Sequence, residues 1–490
     1  MTDTEHAATP SEKPVLFALI AVVAIYAVAL FLPATAGYFA PAQHEATHEE
    51  HAAPHVLAVL PFALLLGCIA VLPLVSAAAH WWESNLHRFY VAAGLALATL
   101  AYYLARGGTA AVGLTLEHAI LAEYIPFIVL LFSLYTICGG IRISGDLPAH
   151  PATNAAFIAA GAVLASFIGT TGAAMLLVRP LLETNRERKK VAHTVVFFIF
   201  AVCNCGGLLT PLGDPPLFLG YLRGVDFLWT ARLWQEWLFV NACLVAIYYL
   251  WDRLYAYPRE SAADVRLDET RIRKLKFSGM FPNALLLGGV VASVAFLDPS
   301  KALPGMDWHP PVYLREAVQL GLVAASLAFG SQPVRKANQF SYGAIVEVAV
   351  LFIGIFICMQ PALQILHDQG GKLGVNTPHR FFWATGTLSS VLDNAPTYVV
   401  FLEAGKTIPP LEGDPVFELP DGRIDERILA AISLGAVMMG AMTYIGNGPN
   451  FMVKAIAEQA GVSMPSFFGY MLYSLCVLLP ILAVMTWLFI

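Results

Sequence analysis

Thr210-Pro211-Leu212-Gly213-Asp214-Pro215-Pro216 and, 233 positions later, Thr443-Tyr444-Ile445-Gly446-Asn447-Gly448-Pro449 share one pattern, Thr-x-x-Gly-(Asp or Asn)-x-Pro. Each interrupts an apolar run, 191–223 and 428–460, that is too long for a single crossing of a bilayer. A membrane helix needs about 20 apolar residues. Proline removes a backbone donor from a helix interior, and glycine permits the tight path that follows. The two stretches therefore predict broken membrane helices, each a pair of half-helices meeting at a polar turn. In hydrocarbon an unpaired amide or carbonyl costs several kcal/mol, so such a turn persists only inside protein or around a cavity.

Working outward, the match extends well beyond the two breaks. Glu123 precedes Thr170 by 47 positions, and Glu347 precedes Asn394 by the same 47, an offset of 224. That offset also aligns Ser166-Phe167-Ile168-Gly169-Thr170 with Ser390-Val391-Leu392-Asp393-Asn394. Segments 153–179 and 380–403 are apolar with polar centres, Gly169-Thr170-Thr171-Gly172 and Asp393-Asn394-Ala395-Pro396-Thr397. They read as re-entrant hairpins. The predicted spans are 15–33, 56–78, 89–105, 119–141, 191–223, 233–251, 280–297, 312–330, 343–366, 428–460 and 467–489. The chain thus reads as an all-α polytopic membrane protein with about 11 transmembrane helices in two inverted repeats, each with a re-entrant hairpin and a broken helix. Residues 1–55 hold an N-terminal helix and a His/Glu-rich external loop, 56–251 the first repeat, 252–279 a basic linker and 280–490 the second repeat. Five spans per repeat is an odd number, which places the repeats in opposite orientations. Inverted repeats with paired broken helices point to a secondary transporter whose site lies where the breaks meet.

Composition agrees. Of 490 residues 58% are hydrophobic and 13% charged, against roughly 25% charged in a soluble domain. An ordinary soluble enzyme is excluded. A net charge of −6 gives no basic surface for nucleic acid. The seven cysteines all fall in apolar segments and read as packing residues. Cys203 and Cys205 lack the second pair a structural metal would need, and no cofactor is expected. Arg186, Arg188, Lys189 and Lys190, the basic 252–278 loop, and Arg335 with Lys336 fall on one side of the map. By the excess of basic residues on the inner face that side is cytoplasmic, with the N-terminus inside a bacterial inner membrane. Ala34-Thr35-Ala36 resembles a signal cleavage site, but the apolar core before it exceeds the usual 7–15 residues or so and reads as an uncleaved helix.

Each break frees carbonyls on one half-helix and N–H groups on the other. Carbonyls with Thr, Asn and Asp oxygens suit a hard cation such as Na⁺, whereas N–H ends suit an anion. The candidate ion ligands are Thr170, Thr171, Asp214, Asp393, Asn394, Thr397, Asn447 and Asn450, with Glu123 and Glu347 as proton-coupling candidates. An ionised carboxylate at mid-membrane costs about 2.5–3.5 kcal/mol. The expected counter-cations are few, Arg179 and Lys454. A site so rich in acids favours cations or protons over carboxylates.

At these residues the chain resembles the ion transporter superfamily of secondary carriers. Ser166 to Leu182, Asn204 to Leu222, Ser389 to Leu402 and Thr443 to Ile456 are most similar to NhaD-type sodium/proton antiporters and the related citrate transporters. The resemblance covers the chain from Val56 onward. It implies a non-enzymatic carrier working by alternating access, exchanging Na⁺ or Li⁺ for H⁺, as a homodimer in which the hairpins move. Dicarboxylate carriers of this superfamily have Ser-Asn-Thr at both hairpin tips. Here the first tip lacks the Asn and the second carries Asp393, the kind of acid an antiporter uses. The alternative is Na⁺- or H⁺-coupled symport of citrate or another small carboxylate, held by the half-helix N-termini with Thr397 and Asn450.

Other motifs carry less. His44-Glu45-Ala46-Thr47-His48 matches the zinc-protease pattern, but it lies between Pro41 and Pro54 among Glu49, Glu50, His51 and His55. It reads as a solvated loop rather than a protease helix. Gly405-Lys406-Thr407 echoes a phosphate loop, with Val400 in place of its first glycine. His118, five residues before Glu123, reads as an interfacial histidine.

Overall fold

The computed structural model describes residues 13–31, 54–303, 305–410, 413 and 415–490. The His44–His48 motif lies outside the described residues. The fold is all-α and polytopic. In chain order the helices are α1 (Lys13–Phe31), α2 (Leu60–Val71), α3 (Ser76–Trp82), α4 (Asn85–Leu116), α5 (Ile125–Cys138), α6 (Pro151–Ile168), α7 (Thr170–Thr184), α8 (Ala192–Val202), α9 (Pro215–Leu222), α10 (Trp234–Trp251) and α11 (Ala262–Thr270). They continue as α12 (Met280–Phe296), α13 (Leu314–Phe329), α14 (Gln332–Ala337), α15 (Gly343–Cys358), α16 (Gln360–Gln369), α17 (Pro378–Ser389), α18 (Asn394–Lys406), α19 (Glu426–Met439), α20 (Gly448–Gln459), α21 (Phe467–Tyr473) and α22 (Leu479–Phe489). Strands β1 (Arg142–Asp146) and β2 (Arg273–Ser278) form one two-stranded sheet; β3 (Val416–Leu419) and β4 (Gly422–Asp425) form another.

The chain divides into two compact units. One comprises 1–43, 128–143 and 277–346. In it α12 and α1 both pack against α13. The buried Arg335 guanidinium donates to the Thr136 carbonyl at 2.6 Å and to Ser326 Oγ at 2.7 Å. Ser326 in turn donates to Asn283 Oδ1 at 2.6 Å. This polar chain satisfies groups that would otherwise be orphaned in an apolar interior.

The other unit comprises 44–127, 144–276 and 347–490 and holds both hairpins and both broken spans. Helix α6 packs on α7 and α8, and α17 packs on α18 and α19. Small residues set the closeness of the last pair. A Cβ on Gly435 would stand 2.6 Å from the Phe382 carbonyl, so backbone meets backbone there as it does between small residues of membrane helices generally.

Both predicted hairpins and both predicted breaks are present. The first hairpin turns at Gly169, whose φ of 80° and ψ of 150° suit glycine alone. The second turns through 390–393, where the Asp393 carboxylate caps α18 by accepting from Ala395 N at 3.0 Å. Among the described residues five helical runs are long and apolar enough to cross a membrane, or six counting one bent pair. Eleven predicted spans exceed this because Asn85–Cys138 covers two of them, the breaks divide 191–223 and 428–460, and α12 and α13 have 17 and 16 residues.

Two expectations are refined. Spans 89–105 and 119–141 are separate helices joined without an intervening loop: they meet at Gly107 and Gly108, where Gly108 leaves helical geometry with a φ of 66° and a ψ of −160°. Span 343–366 is bent by 43° between α15 and α16, where Pro361 enters the first turn of α16. Between α18 and α19, β3 and β4 pair as an antiparallel hairpin, with Val416 opposite Asp425.

Candidate functional site

Four helices begin at the two breaks and the two hairpin tips: α7 at Thr170, α9 at Pro215, α18 at Asn394 and α20 at Gly448. The residues before α9 and α20 are the repeat-related pair Asp214 and Asn447. Their backbones match, with φ and ψ of −144° and 142° for Asp214 and −152° and 139° for Asn447. Proline in the first turn of each helix fixes where it starts.

The surrounding hydrogen bonds repeat as well. Thr210 Oγ1 donates to the Ser166 carbonyl, and Thr443 Oγ1 donates to the Ser390 carbonyl at 2.5 Å. Thr210 Oγ1 accepts from Leu212 N at 3.2 Å, and Thr443 Oγ1 accepts from Ile445 N at 3.3 Å. A Cβ on Gly213 would collide with the Gly207 carbonyl, and one on Gly446 would stand 2.6 Å from the Gly440 carbonyl. The threonine of each signature thus ties its break to a hairpin tip, and the glycine lets the loop close on itself.

At the centre lies Asp214, 1% exposed. Its Oδ1 accepts from Thr170 Oγ1 at 2.9 Å and from Asn447 Nδ2 at 3.1 Å. Its Oδ2 accepts from Asn394 Nδ2 at 2.5 Å. One carboxylate therefore collects a donor from the first hairpin tip, the second hairpin tip and the second break. All three donors are neutral. Thr170 N also donates to the Gly213 carbonyl at 2.8 Å, joining the first tip to its own break.

Asn450 sits behind this cluster, fully buried. Its Nδ2 donates to the carbonyls of Gly440 at 2.9 Å and Thr443 at 3.0 Å. Its Oδ1 accepts from Asn204 Nδ2 at 2.8 Å. Asn204 is a member of the site that sequence reasoning missed, and its Oδ1 also accepts from Asn447 Nδ2 at 3.2 Å. The repeat could not reveal it, because offset 233 places Val437 at the matching position. Its signal was local: an amide between two cysteines in an apolar run, just past the end of α8 at Val202.

Thr397 is buried and turns back to donate to the Asp393 carbonyl at 2.9 Å. Asp393 is half-buried and acts as a helix cap. Thr171 is half-buried and stays outside the hydrogen-bonded cluster.

Glu123 and Glu347 are held elsewhere, each by an arginine. Glu123 pairs with Arg223, which also donates to Glu403 at 2.7 Å. Glu403 receives Lys406 at 2.7 Å, and Lys406 reaches Asp421 at 2.6 Å. His118 and His367 flank this chain at 3.9 Å from Glu123 and 3.8 Å from Glu403. Glu347 pairs with Arg88 at 2.8 Å. Arg223 and Arg88, which were not among the expected counter-cations, neutralise these acids, while Lys454 pairs with Glu458 on its own helix at 2.7 Å. Long side chains carry charge across several ångströms, which span boundaries alone do not reveal.

Chemically, Asp214 is a buried acceptor whose neighbours are amides and a hydroxyl. An amide has two faces. Asn394 and Asn447 can donate to an ionised Asp214 or, turned over, present oxygen to a bound cation or to a protonated carboxyl. No curated protein matches the chain. A family profile described as putative citrate transport matches residues 51–490. The chain therefore belongs to that family of the ion transporter superfamily, and the protein is a membrane-embedded secondary transporter.

Proposed function

We propose that the protein exchanges Na⁺ for H⁺ at Asp214 by alternating access across a cytoplasmic membrane, the basic loops facing the cytoplasm. The observation that carries this reading is the single buried carboxylate, ringed by Thr170, Asn394 and Asn447, with neutral donors alone hydrogen-bonded to it. Proton and cation compete for that carboxylate, so binding one releases the other. A proton on Oδ2 requires the Asn394 amide to turn and offer its oxygen. A sodium ion draws on the same turned amide, on Thr170 Oγ1 and on carbonyls left free at the breaks. Rising pH then increases apparent Na⁺ affinity. Each charge moved across 100 mV is worth about 2.3 kcal/mol, a drive any unequal stoichiometry can use.

Collapse of a pH gradient in inside-out vesicles tests the reading. Addition of NaCl should dequench a ΔpH probe in wild type and leave it quenched in Asp214→Asn.

A second reading is favoured by the family description and by the four helix N-termini at the junction. In it the N–H ends hold citrate or a similar small carboxylate, and Asp214 serves the coupling ion. Citrate uptake into right-side-out vesicles, with no sodium-dependent dequenching, selects this symport.

A further inference from the structure

Away from this junction, three carboxylates meet on the face of the basic loops. Asp146 ends β1, five residues before α6 begins at Pro151. Glu187 follows the end of α7 at Thr184 by three residues. Asp268 lies on α11, in the linker between the two repeats. Each offers one oxygen, and these oxygens lie within 4.8 Å of one another.

Two further observations separate the trio from an ordinary acidic cluster. Glu187 Oε2 and Asp268 Oδ1 are buried and lack a hydrogen-bond partner. Their side chains are not at the surface: that of Glu187 is 7% exposed, and Asp268 as a residue is 4% exposed. A buried carboxylate oxygen without a donor forfeits its hydration for nothing in return, unless a cation is meant to sit there. The nearby arginines do not fill the role. Arg271 stands 3.9 Å from Glu187 and Arg273 3.6 Å from Asp146, beyond hydrogen-bond reach, and both are mostly solvent-exposed. Asp268 Oδ2 is occupied, accepting from Ala149 N at 2.8 Å. That bond fixes the carboxyl and leaves Oδ1 free.

We propose that Asp146, Glu187 and Asp268 form a Ca²⁺ site that ties both feet of the first hairpin to the linker. Three hard oxygens on three segments match the ion's preference, and Ca²⁺ ligands at 2.3–2.6 Å stand up to about 5 Å apart across the ion. Mg²⁺, with ligands at about 2.1 Å, closes over a narrower span and releases its waters reluctantly. Water fills the remaining positions.

The test is calorimetric titration of CaCl₂ into the detergent-purified full chain, with MgCl₂ in parallel. One site with a dissociation constant below about 1 mM is expected, weaker for Mg²⁺ by tenfold or more. Glu187→Gln and Asp268→Asn, which keep shape and remove charge, should each weaken Ca²⁺ binding at least tenfold. Each variant should elute as wild type does on size exclusion, and Asp214→Asn should bind Ca²⁺ normally. Absence of Ca²⁺ binding by wild type at 1 mM, equal affinity for Mg²⁺, or undiminished binding by both carboxamide variants would overturn the proposal.

Discussion

Asp214→Asn should silence exchange while scarcely changing stability, and the structure supplies the magnitudes. The aspartate accepts three hydrogen bonds, from Thr170, Asn447 and Asn394. A bond to an ionised acceptor is worth about 1 kcal/mol more than one to a neutral acceptor, so loss of the charge costs about 3 kcal/mol over three bonds. Against this, the variant no longer buries an ion. Insertion scales put that relief at roughly 2.5–3.5 kcal/mol. The two nearly cancel, and Asn394 can turn its amide to meet the new donor. Thermal unfolding of the detergent-purified variant should therefore stay within about 1 kcal/mol of wild type. Sodium-dependent dequenching in vesicles should fall to background. Asp214→Leu makes the contrast. It strands Thr170 and Asn394, while Asn447 keeps the Cys203 carbonyl at 3.0 Å, and should cost about 2–6 kcal/mol at 1–3 per orphaned donor. Undiminished exchange in Asp214→Asn would refute the assignment of the site; a variant that fails to fold would refute the cancellation.

Arg223→Met leaves Glu123 with His118 at 3.9 Å, whereas Glu403 keeps Lys406 at 2.7 Å. Breaking a buried pair in this way costs about 3–5 kcal/mol, and adding Glu123→Gln should recover more than half of the loss in apparent melting temperature. Gly213→Ala, whose Cβ meets the Gly207 carbonyl, should abolish monodisperse protein on size exclusion; Gly448→Ala, with open space around the new Cβ, should behave as wild type. Asn204→Ala removes the acceptor of one Asn447 bond and the donor to Asn450, and should destabilise by about 1–3 kcal/mol and reduce exchange, read by the same vesicle assay.

The sequence revealed those parts of the fold that have a period or a copy. Hairpins and breaks were legible because Gly and Pro within long apolar runs have few other uses, and because each signature occurs twice. Six of the eight proposed ligands occupy the junction or its immediate support: Thr170, Asp214, Asn394, Asn447 and Asn450 in the hydrogen-bonded network, with Asp393 capping α18. What stayed hidden was pairing at long range. Arg223 ends a predicted span and looks like an interfacial residue, yet its partner lies 100 positions earlier. Asp146, Glu187 and Asp268 belong to three separate loops in the sequence, and folding alone makes them neighbours. How short the turn at Gly107 and Gly108 is has no signature in the apolar pattern, because the polar and small residues after Ala105 suit a loop and a helix start equally.

The near-identity of the two breaks has a consequence for how such a site can be assembled. Asp214 and Asn447 are repeat-related, and Asp214 Oδ1 accepts from Asn447 Nδ2 at 3.1 Å. A complex of two identical half-chains would have to place the same residue at both positions. Two aspartates at that separation would repel until they shared a proton, and two asparagines would carry no charge for a cation to meet. Joining the halves in one polypeptide lets the two copies differ, so that one bears the charge and the other supplies its donor, the asymmetry that the proposed cation site requires.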